Sequence, residues 1–228
     1  MKRFWTVVYT VLTGMVLWAA HAYAAESAPW RGSVKSPDFN GNTYTITSAD
    51  ELAWVAEQSR TDDFAGKVIR LEEDIDLGGT QDAPSSWAPI GSAAMPFQGE
   101  MDGNNHVVYN LYMLSSLFPA GAGLFAETGT DAVVHHLGIG QGQIMTDATS
   151  NVGGFIGINR GKLHHCFNMM QIIAHAGNHV GGLVGKNSGE IAYSYNAGII
   201  TDAGSFVGGL VGTNEETATL SHCYNMGY

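Results

Sequence analysis

Residues 180–185 read VGGLVG, residues 207–212 read VGGLVG again, and residues 152–157 read VGGFIG. The three starts are 28 and 27 residues apart. The match extends beyond six letters: VGGFIGINRGKLHHCFN from Val152, VGGLVGKNSGEIAYSYN from Val180, and VGGLVGTNEETATLSHCYN from Val207, the last with two extra residues before its Cys. A weaker copy, GAGLFAETGTDAVVHHLG, begins at Gly121. Self-similarity at a period of about 20–50 residues marks stacked units. Each unit holds paired glycines, β-branched residues and Asn-containing turns, and none shows the three-and-four apolar spacing of a helix. A unit of this length suits one coil of a parallel β-helix, with strands stacked about 4.8 Å apart.

Stacking predicts columns of like residues. Leu163, Ile191 and Leu220 form one, with Val134 below them. Asn159, Asn187 and Asn214 form a second, Asn168, Asn196 and Asn225 a third, and Phe167, Tyr195 and Tyr224 a fourth. The aliphatic column fills the interior. Asn suits sharp turns, since it tolerates left-handed backbone and bonds locally, and stacked amides also bond one another. The glycines let backbones bend or approach closely. Cys166 and Cys223 share a column with Ser194 between them. They then lie two coils apart, about 9.6 Å, beyond the roughly 7 Å a disulfide tolerates, so two free thiols are expected.

The lead-in is less regular. TYTITSADELAWVAEQSR holds a short strand, then Ser48 and Glu51 at capping-box spacing, and a helix is expected from about Ala49 to Ser59, covering the open end of the coil. KVIRLEEDIDL reads as an alternating strand, and WAPIG, FQGEMDGNNHVVYNLYM and GLFAE as strands and turns of early coils. The organisation expected is a signal peptide over 1–24, an N-terminal strand and capping helix over 25–65, irregular coils over 66–150, and repeats over 151–228, the last incomplete. The class is all-β, a parallel β-helix with an N-terminal capping helix.

The repeats resemble the GLUG-motif family, through VGGLVGKNSGEIAYSYNAG and its copies, and YTITSADELAWVAEQ, LEEDIDL, WAPIG, FQGEMDGNNHVVYNL and GLFAE resemble the region that leads into such repeats. Ala126 stands where a Gly is usual, and His136 where an Asn often precedes Leu-Gly. The resemblance implies a right-handed parallel β-helix on secreted or surface proteins of bacteria, often adhesin-like. The same repeats accompany IgA-cleaving metallopeptidases, but those need a zinc motif such as His-Glu-x-x-His, and no His-Glu dipeptide occurs here.

Lys2 and Arg3, an apolar run from Phe4 to Ala20 and the small residues of Ala22-Tyr23-Ala24 read as an export signal cleaved after Ala24; an uncleaved anchor is the alternative. The location expected is therefore secreted, periplasmic or cell-surface, and the mature chain is not expected to span a membrane. Cleavage leaves eight Lys+Arg against 21 Asp+Glu, a net charge of −13. That balance disfavours nucleic acid and anionic lipid as partners and leaves cations, neutral glycans or host and surface proteins.

Candidate chemistry is sparse, and no cofactor is expected. His135 with His136 and His164 with His165 align across adjacent coils, and His222 aligns with His136 and His165, with Tyr193 between. Such histidines are candidates for a shared zinc or copper ion. Against this, no carboxylate joins them in the alignment, and adjacent residues on a strand point apart. His175 and His179 would pair only on a helix. Glu72, Glu73, Asp74 and Asp76 are calcium candidates, halved in number if they lie on a strand. Glu100 and Asp102 are the paired carboxylates of a glycoside-cleaving reading. Trp30, Trp54, Trp87, Phe167, Tyr195 and Tyr224 would stack on sugars if exposed, although aromatic columns are commonly buried. The sequence therefore favours a non-catalytic adhesin-like interaction module. The alternatives are a β-helix enzyme acting on a polysaccharide, and a stalk or fragment of a longer array.

Overall fold

A computed structural model describes residues 32–79, 87–114, 121–146, 150–175, 177–201 and 204–227. The expected signal segment, with its cleavage after Ala24, and Trp30 lie outside these residues. The chain winds as a right-handed parallel β-solenoid of about 6 turns. Each regular coil contributes one strand to each of five walls. In the coil that starts the repeats these are Gly142–Thr146, Ser150–Gly153, Ile156–Asn159, Lys162–His164 and Phe167–Asn168. The wall through Lys162–His164 is the longest, with eight strands, and the wall through Phe167–Asn168 has six.

The register is the one the repeats imply. Val134, Leu163, Ile191 and Leu220 pair in succession, as do Asn159, Asn187 and Asn214, and Phe167, Tyr195 and Tyr224. The column continues downward through Met101 and Ile69. The side chains of the aliphatic column, from Ile69 and Met101 through Ile191, are fully buried, and Leu220 is 41% exposed. Lower coils fill the same interior with aromatic rings: Phe64, Phe97 and Phe125 follow one another at 5.9 and 5.2 Å.

The two Asn columns are interior amide ladders, not left-handed turns. Asn159 Nδ2 donates to Asn187 Oδ1 and Asn187 Nδ2 to Asn214 Oδ1, both at 2.8 Å. Asn168 and Asn196 repeat the pattern at 2.9 Å toward Asn196 and Asn225. The amide is planar and about one coil rise in reach, so each rung satisfies the donor below it, and Asn159, Asn168, Asn187 and Asn196 are buried. Local bonds complete the set, as with Gly198 N–H donating to Asn196 Oδ1 at 3.1 Å.

The second glycine of each VGG makes room for this ladder. A Cβ on Gly154, Gly182 or Gly209 would fall 2.3–2.6 Å from the side chain of Asn168, Asn196 or Asn225 respectively. Close approach, with φ in the ordinary range, is therefore what the repeat glycines supply.

The helix, here α1, spans Ala49–Gln58, and Ser48 Oγ accepts from the Glu51 N–H. The capping box is half made: the Glu51 carboxylate accepts from Thr47 N–H at 2.8 Å and from Lys35 Nζ at 2.7 Å. Leu52 and Val55 of α1 join the continuous interior core at the start of the stack. The wall edge itself is covered by something the sequence reading did not anticipate. Asp38–Asn40 folds back antiparallel on Thr43–Ile46 across an Asn40-Gly41-Asn42 turn, with Gly41 at φ 64°. An antiparallel, fully exposed first strand ends the parallel ladder.

The KVIRLEEDIDL segment is not one strand. It pairs over Val68–Leu71, bends, and pairs again over Ile75–Asp76.

Candidate functional site

The outer face of the long wall concentrates the titratable groups. In Glu100–Asp102 the central Met101 points inward, and both carboxylates face out. Asp102 pairs in register with Arg70 below and with His135 above, and His135 pairs with His164. One outward column therefore runs Arg70, Asp102, His135, His164.

The next residue in each coil is His136, His165, Tyr193 and His222, and each has left-handed backbone, φ 49–55°. These, with Asn151, His179 and Phe206, are the corner positions that the sequence reading had given to Asn. A left-handed corner reverses the expected divergence of adjacent side chains. Two residues in succession no longer alternate across a pleat; His136 turns to the same side as His135, with Nδ1···Nδ1 2.8 Å, and His164 and His165 repeat this at 3.0 Å. The second expectation to fall is that no carboxylate joins the histidines. His135 Nε2 lies 3.0 Å from Glu100 Oε1, and His135 Nδ1 lies 3.7 Å from Asp102 Oδ1. One nitrogen each of His135 and His136 and one Asp102 oxygen lie within 4.8 Å of one another. The missed partner comes from a lower coil that lacks the VGG signature; its signal was Met101, an inward residue that aligns with Val134.

The rings stack at the coil rise. His135 on His164 is 5.2 Å between centroids, His136 on His165 4.9 Å, His165 on Tyr193 5.0 Å and Tyr193 on His222 4.6 Å, all within 15° of parallel. Partial burial and the neighbouring imidazoles push His136 and His164 below the usual histidine pKa, which favours their neutral, lone-pair-bearing form. Asp102 also meets Arg70, whose Nη1 is 3.2 Å from Oδ2, and Arg70 in turn bonds Glu72 at 2.9 Å.

A second outward ladder stands two residues further along each coil. Phe167, Tyr195 and Tyr224 stack at 5.4 and 5.0 Å, with Tyr224 51% exposed. Beside them on the same wall Met169 and Met226 also face solvent. The aromatic column is therefore an outer strip, not a buried one, because Asn168, Asn196 and Asn225 take the inward places of these two-residue strands. Trp87, by contrast, is buried and donates Nε1–H to the Leu124 carbonyl at 3.1 Å, and Trp54 packs on the core.

The remaining candidates do not converge. Glu72 pairs with Arg70, Asp74 with His106 at 3.2 Å, and Asp76 accepts from Asn110 Nδ2 at 2.8 Å, so the acidic run is divided among separate partners. His179 faces Thr213 Oγ1 at 2.6 Å and stacks on Phe206. Cys166 and Cys223 are both free, and Ser194 Oγ between them accepts the Cys166 N–H at 3.1 Å. Among the described residues no helix is long and apolar enough to cross a membrane.

Comparison of the chain with protein-family models, curated proteins and solved structures gives no match.

Proposed function

We propose that this chain is a non-catalytic, adhesin-like interaction module of a GLUG-type exported protein, secreted or held at a cell surface, and that it engages its partner through the outward ring ladders. The observation that carries this reading is the outward strip of parallel rings Phe167, Tyr195 and Tyr224 with Met169 and Met226; Phe167 and Tyr195 are partly exposed, and Tyr224, Met169 and Met226 more than half. Rings stacked on one another turn their edges outward, and with Met169 and Met226 they form an apolar ridge for the apolar groups of a glycan or a protein partner, already ordered before contact. The net charge of −13 expected after signal removal favours a neutral glycan over an anionic one. The leader with its Ala22-Tyr23-Ala24 boundary supports export.

The competing reading, cleavage of a polysaccharide by Glu100 and Asp102, meets a specific difficulty. Glu100 is engaged by His135 and Asp102 by Arg70, on an open wall. The test is binding of residues 25–228 to a panel of immobilised neutral glycans and matrix proteins, with reducing-sugar release followed in parallel. Retention that falls about tenfold in Tyr195→Ala, the loss of one stacked ring at about 1–3 kcal/mol by analogy with base stacking, supports the module. Sugar release that depends on Glu100, without retention, would replace it by the enzyme.

A further inference from the structure

We propose that the corner formed by Asp102, His135 and His136 binds one divalent transition-metal ion of the zinc class, with Glu100 as the outer partner that fixes His135. The site is distinct from the aromatic strip and independent of its role.

Three features of the geometry point to it. First, Glu100 Oε1 accepts from His135 Nε2 at 3.0 Å. A carboxylate only accepts, so the neutral ring carries its proton on Nε2 and leaves a lone pair on Nδ1. That lone pair points to His136 Nδ1, 2.8 Å away, and toward Asp102 Oδ1, 3.7 Å away. A neutral His136 fills this contact by donating Nδ1–H to the lone pair; a divalent ion in place of that proton would be held by both Nδ1 atoms and by Asp102, whose Oδ2 meets Arg70 and whose Oδ1 accepts the Asn104 N–H at 2.8 Å. The carboxylate–histidine pair is the arrangement that orients a metal-bound imidazole.

Second, the separations suit a tetrahedral ion. Ligands about 2.0–2.1 Å from zinc lie about 3.3 Å apart, and the 2.8 and 3.7 Å distances straddle that value. Imidazole with carboxylate is a borderline donor set, which selects zinc or copper over calcium and magnesium. Water completes the fourth position.

Third, the molecule contains its own comparison. His164 and His165 reproduce the Nδ1···Nδ1 contact at 3.0 Å, one coil higher. Beneath that pair stand His135 and His136 rather than a carboxylate. Among the described residues, Asp102 joins the lower pair, and no carboxylate completes a three-ligand group with the upper one.

The experiment is titration of the chelator-treated chain, residues 25–228, with Zn2+ by calorimetry, and with Co2+ by visible absorption, whose intensity reports tetrahedral coordination. One equivalent is expected. His136→Asn keeps the left-handed corner, which Asn tolerates, and should weaken Zn2+ about tenfold or more, as should Asp102→Asn. Glu100→Gln should cost roughly 10–100-fold, the range for an outer partner. His222→Asn, at an equivalent corner three coils above His136, should leave the affinity within about twofold. Thermal melts by circular dichroism establish that each variant is folded, and His136→Asn decides the matter if Asp102→Asn does not fold. Absence of saturable binding, which would mean that a proton alone bridges His135 and His136, overturns the proposal. So does equal loss in His136→Asn and His222→Asn, the mark of scattered surface histidines.

Discussion

At the scale of single residues, the recurrent VGG and the recurrent Asn are one device. Gly182 leaves the space that Asn196 fills, and Asn187 links Asn159 to Asn214. Gly182→Ala should destabilise the fold by about 3 kcal/mol, the upper range for overpacking, because the added carbon meets the Gly209 carbonyl as well as the amide, both at 2.3 Å. Asn187→Ala takes from the buried Asn159 amide its shortest acceptor, leaving the Gly161 carbonyl at 3.3 Å, and should cost about 2 kcal/mol. Asn214→Ala, on the exposed last rung, should cost about 1 kcal/mol. Denaturant unfolding of the three variants checks the order. The cysteines give a second residue-scale prediction. Burial pushes the Cys166 thiol up to about 12, while Cys223 is half-buried and raised less completely. At pH 8 a thiol reagent should modify Cys223 slowly and Cys166 only after unfolding, since the thiolate is the reactive form. Equal rates for the two, read by mass spectrometry of the peptides, would contradict the burial of Cys166.

At the scale of the element, the corner between the long wall and its neighbour converts a steric cost into a surface. Left-handed backbone at His136, His165, Tyr193 and His222 is unfavourable by roughly 1–2 kcal/mol per residue, and ring stacking with each neighbouring coil offsets part of it. The consequence is a pH response. Among the groups around His164, the imidazoles of His135, His136 and His165 disfavour its proton and Glu190 favours it; burial is the largest cause, and the net direction is down from 6.5. His136 is lowered for the same reasons, with Asp102 opposing. A histidine whose folded pKa lies below its unfolded one leaves the unfolded chain with more bound protons as pH falls. The stability it contributes is complete above about pH 6.5 and is lost as pH drops from there through the folded value. With chelator present, the urea midpoint should fall between pH 7.5 and 5.5, and the fall should shrink in His136→Asn combined with His164→Gln. The lowered carboxylates Glu51, Asp62 and Glu215 start from 3.8–4.5 and act below this window. This corner also marks where sequence reading stops. The period placed His136 under His165 and Tyr193 under His222, because stacking preserves order along the chain. It did not show which way a side chain leaves a corner, because strand alternation fails where φ turns positive. Nor did it find Asp102 beneath His135, since the lower coils keep the inward apolar residue and discard the glycines. The Asn40-Gly41-Asn42 hairpin was written in plain turn residues, but its antiparallel strand falls outside the repeat.

At the scale of the molecule, coils contact only their neighbours, so stability is close to a sum of intrinsic and interface terms along one axis. The interior column shows what each interface is worth. Leu163 is fully buried between Val134 and Ile191, whereas Leu220, its equivalent two coils on, is 41% exposed, and Val207, the equivalent of the fully buried Val180, is 43% exposed. At the opposite end, α1 and the Asp38–Asn40 strand close the interior and the sheet edge. The two ends therefore differ in local stability, and opening should begin at the last coil. Amide hydrogen exchange should be fastest over the strands Ser205–Gly208, Val211–Asn214 and Thr219–Ser221, intermediate over the preceding coil, and slowest over Lys162–His164 and Val133–His135. Leu163→Ala should lose about 2–5 kcal/mol, the usual cost of a buried cavity, and should speed exchange across the coils on both sides of it. Leu220→Ala should lose about 1 kcal/mol and speed exchange only in the last coil. If the two substitutions cost the same, or if exchange is uniform from Val133 to Ser221, the coils unfold as one cooperative block rather than one after another.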